Sequence, residues 1–109
     1  MITWNDFEKI DMRCGTITAA DDFENARKPA YKLTIDFGPL GIKRSSAQIT
    51  KHYKKEDLVN KQVIAVINFP PKQIANFFSE CLVLGVYDDD SEVVLLQPQQ
   101  SVSNGQKIG

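Results

Sequence analysis

His52, Cys14 and Cys81 are the side chains of this 109-residue chain best suited to nucleophilic or acid–base chemistry. A working thiol–imidazole pair needs its two groups within hydrogen-bond reach and a feature that lowers the thiol pKa. The sequence supplies neither, so both cysteines are expected as small buried hydrophobes and His52 as a surface residue. Metal binding needs about four ligands at suitable spacing, and these three are scattered. The run Asp88-Asp89-Asp90 lacks the glycine and the distal glutamate of a calcium loop, and is expected as a solvated hairpin turn. No glycine-rich phosphate loop follows a strand and opens a helix. No catalytic residue, no metal site and no cofactor is therefore expected.

Charge points to a binding function instead. Lys43, Arg44, Lys51, Lys54, Lys55, Lys61 and Lys72 crowd the middle third, against only Glu56 and Asp57. Both flanks are acidic, so the net charge of −1 hides a strongly basic segment. Such asymmetry focuses a field on one face, where cations can meet phosphates; a solvated lysine-rich loop is the competing reading. Stacking of bare bases would need exposed aromatic rings, for which Phe69, Phe77 and Phe78 are candidates, with core or interface as the alternative.

The elements that must position these residues are mostly strands. Thr3-Trp4-Asn5-Asp6 has the form of a capping box, with Asp6 in place of the usual glutamate, and predicts a short helix to about Lys9. Strand character begins at Met12, and its apolar parity changes across Gly15, which predicts a bulge or bend there. Tyr31, Leu33, Ile35 and Phe37 alternate with Lys32, Thr34 and Asp36, a half-buried strand. Gly38-Pro39-Leu40-Gly41 turns the chain into a strand from Ile42 towards Ala47. One helical turn is expected within residues 50–55. Residues 62–68 are apolar on both parities until Phe69-Pro70-Pro71 stops them, because proline cannot donate to a ladder. Residues 81–87 and 93–97 are further strands about the Asp88–Ser91 turn.

Many short strands with little helix predict an all-β fold, a five-stranded OB-fold barrel with short helices and terminal extensions. Residues 1–109 are expected to form one domain, large enough to need no disulfide or metal staple. The two strands that are apolar on both parities need cover from the termini or from a second subunit. The N-terminus lacks the basic and apolar regions of a secretory leader, and no apolar run is long enough to span a bilayer. Together with two unpaired cysteines, this predicts a cytoplasmic protein.

At this point a family pattern enters. Asp11-Met12-Arg13-Cys14-Gly15-Thr16-Ile17 resembles the Asp-x-Arg-x-Gly-x-Ile opening of the tRNA-binding OB domains, found free-standing, in methionyl-tRNA synthetases and in aminoacylation cofactors. Asn68-Phe69-Pro70-Pro71-Lys72 is similar to their Asn-Leu-x-Pro-x-Lys, with the lysine one place early. Ser79-Glu80 stands where their Ser-x-Gly-Met begins, and Leu95-Leu96-Gln97-Pro98 resembles their closing Leu-x-Pro. Within the family the whole chain most resembles the free-standing, export-related chaperone branch. The matching segments include Ile35-Asp36-Phe37-Gly38 and Ser45-Ser46-Ala47-Gln48-Ile49-Thr50-Lys51.

The resemblance implies a homodimer that binds tRNA and also unfolded or precursor proteins, in contact with the export machinery. It assigns Lys43, Arg44, Lys51 and Lys72 to phosphates, with Asn68 and Ser79 shaping the adjoining turn, and places protein clients near Phe69, Phe77 and Phe78. Ala47-Gln48, Ala75-Asn76 and Cys81-Leu82 replace the Ser-Gly, Arg-Gly and Gly-Met of the tRNA-binding relatives, which shifts the emphasis towards chaperone work. A protein–protein adaptor that does not bind RNA is the alternative.

Overall fold

Thr3 starts the first helix as expected. In a computed structural model describing residues 1–109, its hydroxyl accepts the Asp6 N–H at 3.2 Å, and the Asp6 carboxylate accepts the Thr3 N–H at 2.9 Å. This reciprocal cap satisfies N–H groups that a short helix leaves without partners. The helix, α1 (Trp4–Glu8), buries none of its residues.

Strands β1 (Met12–Asp22), β2 (Tyr31–Asp36), β3 (Ile42–Ala47) and β4 (Gln62–Val66) follow, with a 3-10 turn at Gly38–Leu40 and helix α2 (Lys55–Leu58) between them. The remaining strands are short: β5 (Lys72–Ile74), β6 (Phe77–Ser79), β7 (Leu82–Val83), β8 (Gly85–Tyr87) and β9 (Val93–Leu95). Five of them form an antiparallel sheet in the order β3-β2-β1-β4-β7. Its two edges meet where the Glu80 N–H donates to the Arg44 carbonyl at 2.8 Å and the Arg44 N–H donates to the Glu80 carboxylate at 3.0 Å. The result is a nearly closed five-stranded barrel.

The barrel interior is filled by Ile17, Leu33, Ile35, Phe37, Leu58 and Val63, all fully buried. Each such apolar side chain contributes about 1.5–3 kcal/mol relative to exposure. The expected bend at Gly15 lies elsewhere: the β1–β2 register shifts between Ile17 and Ala19. Gly15 instead permits close packing, since a Cβ there would lie 2.7 Å from both Ile35 Cγ2 and the Phe37 ring. The expected helical turn also moves, from residues 50–55 to α2. Tyr53 is held outside the helix: its carbonyl accepts from the Tyr31 hydroxyl, and its own hydroxyl accepts from the Leu95 N–H. Downstream, Leu58 drops into the core.

β4 buries Val63, Ile64, Ala65 and Val66, so its two apolar faces are covered within one chain. The C-terminal segment lies along the first half of β1, with main-chain bonds from Cys14 to Gln106, Gly105 to Cys14 and Ile108 to Met12. The single strand expected over residues 81–87 is divided. The Leu84 N–H bonds the Ile64 carbonyl of β4, while the Leu84 carbonyl accepts from Leu96, so the chain changes partner there and continues as the β8–β9 hairpin. No helix is long and apolar enough to cross a membrane.

Candidate nucleic-acid interface

Strand alternation decides which basic side chains can act together. Successive residues of β3 point to opposite faces. Lys43 shares a face with buried Ser45 and Ala47, and stands opposite buried Ile35, whereas Arg44 stands opposite Thr34 on the outer face. Lys43 and Arg44 therefore do not form one patch. The Lys43 charge is felt instead by Cys81. Burial pushes that thiol up to about 11, against the opposing effects of a hydrogen bond from Ser45 and the nearby lysine. Burial also raises the pKa of Cys14. Both thiols are thus protonated at neutral pH, as expected of small buried hydrophobes.

Arg44 has a platform beneath it. Its guanidinium lies 4.7 Å from the centroid of the Phe77 ring, and Phe77 meets Phe23 edge-on at 5.3 Å. Lys32 caps the other end, 5.8 Å from the Phe23 centroid. Phe77 is only 5% exposed, so it is a buried support and not an exposed docking residue. Phe69 and Phe78 are each 55% exposed. The β5–β6 hairpin brings Lys72 opposite Ser79, and the Ser79 hydroxyl accepts the Ser46 N–H of β3 at 3.2 Å. Arg44, Lys72 and Ser79 are thereby tied to one region, with Lys32 and Phe23 as members that sequence reasoning missed. Lys32 was visible only as a polar position in an alternating strand. Nothing signalled that a hairpin would cross beside it.

Asn68 and Lys51 lie apart from this group. The Asn68 side chain donates to the Lys9 carbonyl at 2.7 Å and accepts the Asp11 N–H at 3.0 Å, which fastens the end of α1 to the start of β1. Both functional ends of its amide are therefore engaged within the chain. Lys51 is exposed on the rim of an open groove of about 870 Å³ between residues 46–51 and 82–85.

Most cations of the basic middle third are left without an acidic partner. Lys55 pairs with Asp22 at 2.7 Å, a hydrogen bond that raises its pKa. Lys43, Arg44, Lys51, Lys54, Lys61 and Lys72 form no ion pair. His52 and the Asp88 turn, separate features in the sequence, meet each other at 2.6 Å. The Asp88 carboxyl is held below its ordinary range, first by the Glu92 N–H and then by His52. The pair braces the loop before α2 against the β8–β9 hairpin. No cluster of three His, Cys, Asp or Glu side chains could hold a metal.

A nearly closed five-stranded barrel of this topology defines an OB-type domain. Residues 12–107 match the tRNA binding domain family, and the chain belongs to it. It is 34% identical to the methionine–tRNA ligase of Chlorobium chlorochromatii over 98% of this chain but only 15% of that enzyme. The chain thus spans about one seventh of the length of the curated relatives it matches. Among solved structures, its fold is that of the CsaA chaperones. The chaperone CsaA from Bacillus anthracis superposes with a TM-score of 0.95 at 54% identity, covering 100% of this chain and 99% of the other. The CsaA chaperone protein from Picrophilus torridus gives 0.93 at 59% identity with both chains fully covered.

Proposed function

We propose that this protein is a homodimeric, export-related cytoplasmic chaperone that binds unfolded or precursor proteins, and that it also binds tRNA without catalysing a reaction. The observation carrying this reading is the likeness to the CsaA chaperones along the whole of both chains. The unpaired cations support the RNA half. In the site we propose, Arg44 and Lys72 contact phosphates on the outer face of β3 and the β5–β6 hairpin, with Lys51 at a more distant contact. Folded RNA offers shape and backbone more than readable sequence, so charge and placement dominate. Ser79 and Asn68 act by holding the hairpin and the β1 entrance in place, and Lys43 contributes from the barrel side.

Exposed apolar surface supports the protein-binding half. Trp4 is 81% exposed beside Ile2, and Phe69 and Phe78 project from other parts of the chain. Of these, Ile2 and Trp4 lie together with Phe7 around one hollow, and contiguous apolar surface of that kind marks interaction sites. We assign the Trp4 region to a second copy and the two phenylalanines to clients.

The test separates the two halves. Arg44→Glu and Lys43→Glu are made singly, because the side chains face opposite ways; in a gel shift with folded tRNA at physiological salt, Arg44→Glu should lose the larger share of binding. Aggregation of a denatured client is then followed with and without the wild-type protein. No tRNA shift together with no suppression of aggregation would favour the adaptor alternative, which the slightly acidic total and the missing Arg-Gly and Ser-Gly pairs support.

A further inference from the structure

The barrel is fastened at one end of its seam and open at the other. In an antiparallel ladder, alternate residues turn their N–H and C=O groups to opposite neighbours. Arg44 turns both away from β2, and Glu80 takes them; Ser46, the next residue with that orientation, has its N–H taken by the Ser79 hydroxyl. Gln48 is next in the series, and neither its main-chain N–H nor its C=O is bonded within the chain. Across the gap, Leu84 bonds to β4, so Val83 turns its main chain away from β4 and towards the opening. Strands β3 and β7 are the two sheet edges and do not pair. The groove of about 870 Å³ fills the space where they part.

We propose that this groove receives an extended polypeptide segment as an added strand, its main chain bonding to Gln48 at the end of the β3 edge. This inference rests on the chaperone reading above and gives it a site other than the exposed phenylalanines. Edge strands with free main-chain groups are templates for strand addition, in which the backbone supplies affinity and pockets select alternate side chains. Leu82, Val83, Tyr87 and Val93 line the groove and can take those alternate side chains. Charge separates a polypeptide from RNA here. Lys28 and Lys51 line the groove, but so do Asp90 and Glu92, which repel a phosphate backbone and suit a chain carrying both signs.

The probe is a capped peptide of about six residues, the usual strand length, alternating valine and threonine with a lysine at one end and a glutamate at the other. It is titrated into the full chain while amide shifts are followed by NMR. The amides of Gln48, Lys51 and Val83 should move, and that of Trp4 should not. Methylating the peptide nitrogens of one parity should weaken binding roughly fivefold, and of the other parity much less, because one set faces the edge. Gln48→Pro should reproduce the loss. Leu82→Glu, which leaves the main chain intact, should also weaken binding.

Shifts confined to other surfaces, indifference to the methylated parity, or shifts at Gln48 and Val83 produced by folded tRNA would overturn the assignment. If the protein suppresses client aggregation while the groove stays silent, only this inference fails. If neither occurs, the chaperone reading fails with it.

Discussion

Replacing Arg44 by glutamine removes one cation from the outer face of β3 and leaves the packing below it in place. The guanidinium forms no ion pair, and its ring contact at 4.7 Å is of a kind worth about 0.5–1 kcal/mol at exposed sites. The fold should therefore lose at most about that much. In binding, one cation–phosphate contact contributes about 0.7–0.9 to the slope of log affinity against log salt, or roughly fivefold in affinity near physiological salt. A guanidinium hydrogen bond to the phosphate raises the loss towards about tenfold or more. Lys72→Gln should cost roughly fivefold, and the double variant should lower the slope by about 1.4–1.8. Lys55→Gln is the control, since Asp22 already neutralises that charge at 2.7 Å. The assay is fluorescence anisotropy with labelled tRNA across several salt concentrations, with circular dichroism to confirm the fold. Unchanged slopes in the Arg44 and Lys72 variants would refute the placement. An equal effect from Lys55→Gln would show that net charge, and not this face, governs binding.

Glu80→Gln keeps an oxygen for the Arg44 N–H but removes the nearest fixed negative charge in that contact; tRNA affinity should rise by up to about fivefold, read in the same titration. Gly15→Ala should destabilise by about 1–3 kcal/mol, because its Cβ must displace Ile35 or Phe37, and the melting temperature should fall by roughly 4–8 °C per kcal/mol. The pKa of Asp88 is depressed in the fold, so its stabilisation is complete above the ordinary carboxylate range and is lost as pH falls through the folded value. Thermal melts from neutral pH to below about pH 4 should show this loss, and Asp88→Asn should flatten the profile. Ala75 holds φ at 55° in the β5–β6 turn, a conformation costly for a residue with a Cβ; Ala75→Gly should raise stability by up to about 1 kcal/mol in chemical denaturation.

Much of the barrel was legible because alternation at residues 31–37 and the two-sided run at 62–66 report burial directly. The Thr3 cap was legible for the same reason, since its chemistry is local. What escaped depended on distant contacts. The displacement of α2 follows from Tyr53 bonding to Tyr31 and Leu95, and the division of residues 81–87 follows from Leu84 changing partner. The site was legible as composition but not as geometry. Lys43 and Arg44 are adjacent in sequence, and on a strand adjacency separates side chains. Phe77 looked like a candidate docking ring until its partners Phe23 and Arg44 were placed around it.

The closure of the barrel links the proposed RNA face to the open groove. Glu80 and Ser79 fasten β3 to the chain leading into β7, which places Arg44 and Lys72 beside one another's supports. Where that fastening ends, the main chain of Gln48 is left free. Arg44 and Gln48 are about 13 Å apart at the rise of an extended strand. This exceeds the Debye length of about 8 Å at physiological salt, so a charge held at Gln48 is largely screened from Arg44. Lys51 is different: it is among the unpaired cations and also stands on the groove rim. In the proposed reading, electrostatic competition between an RNA and a polypeptide therefore centres on Lys51, while Arg44 and Lys72 remain with the RNA.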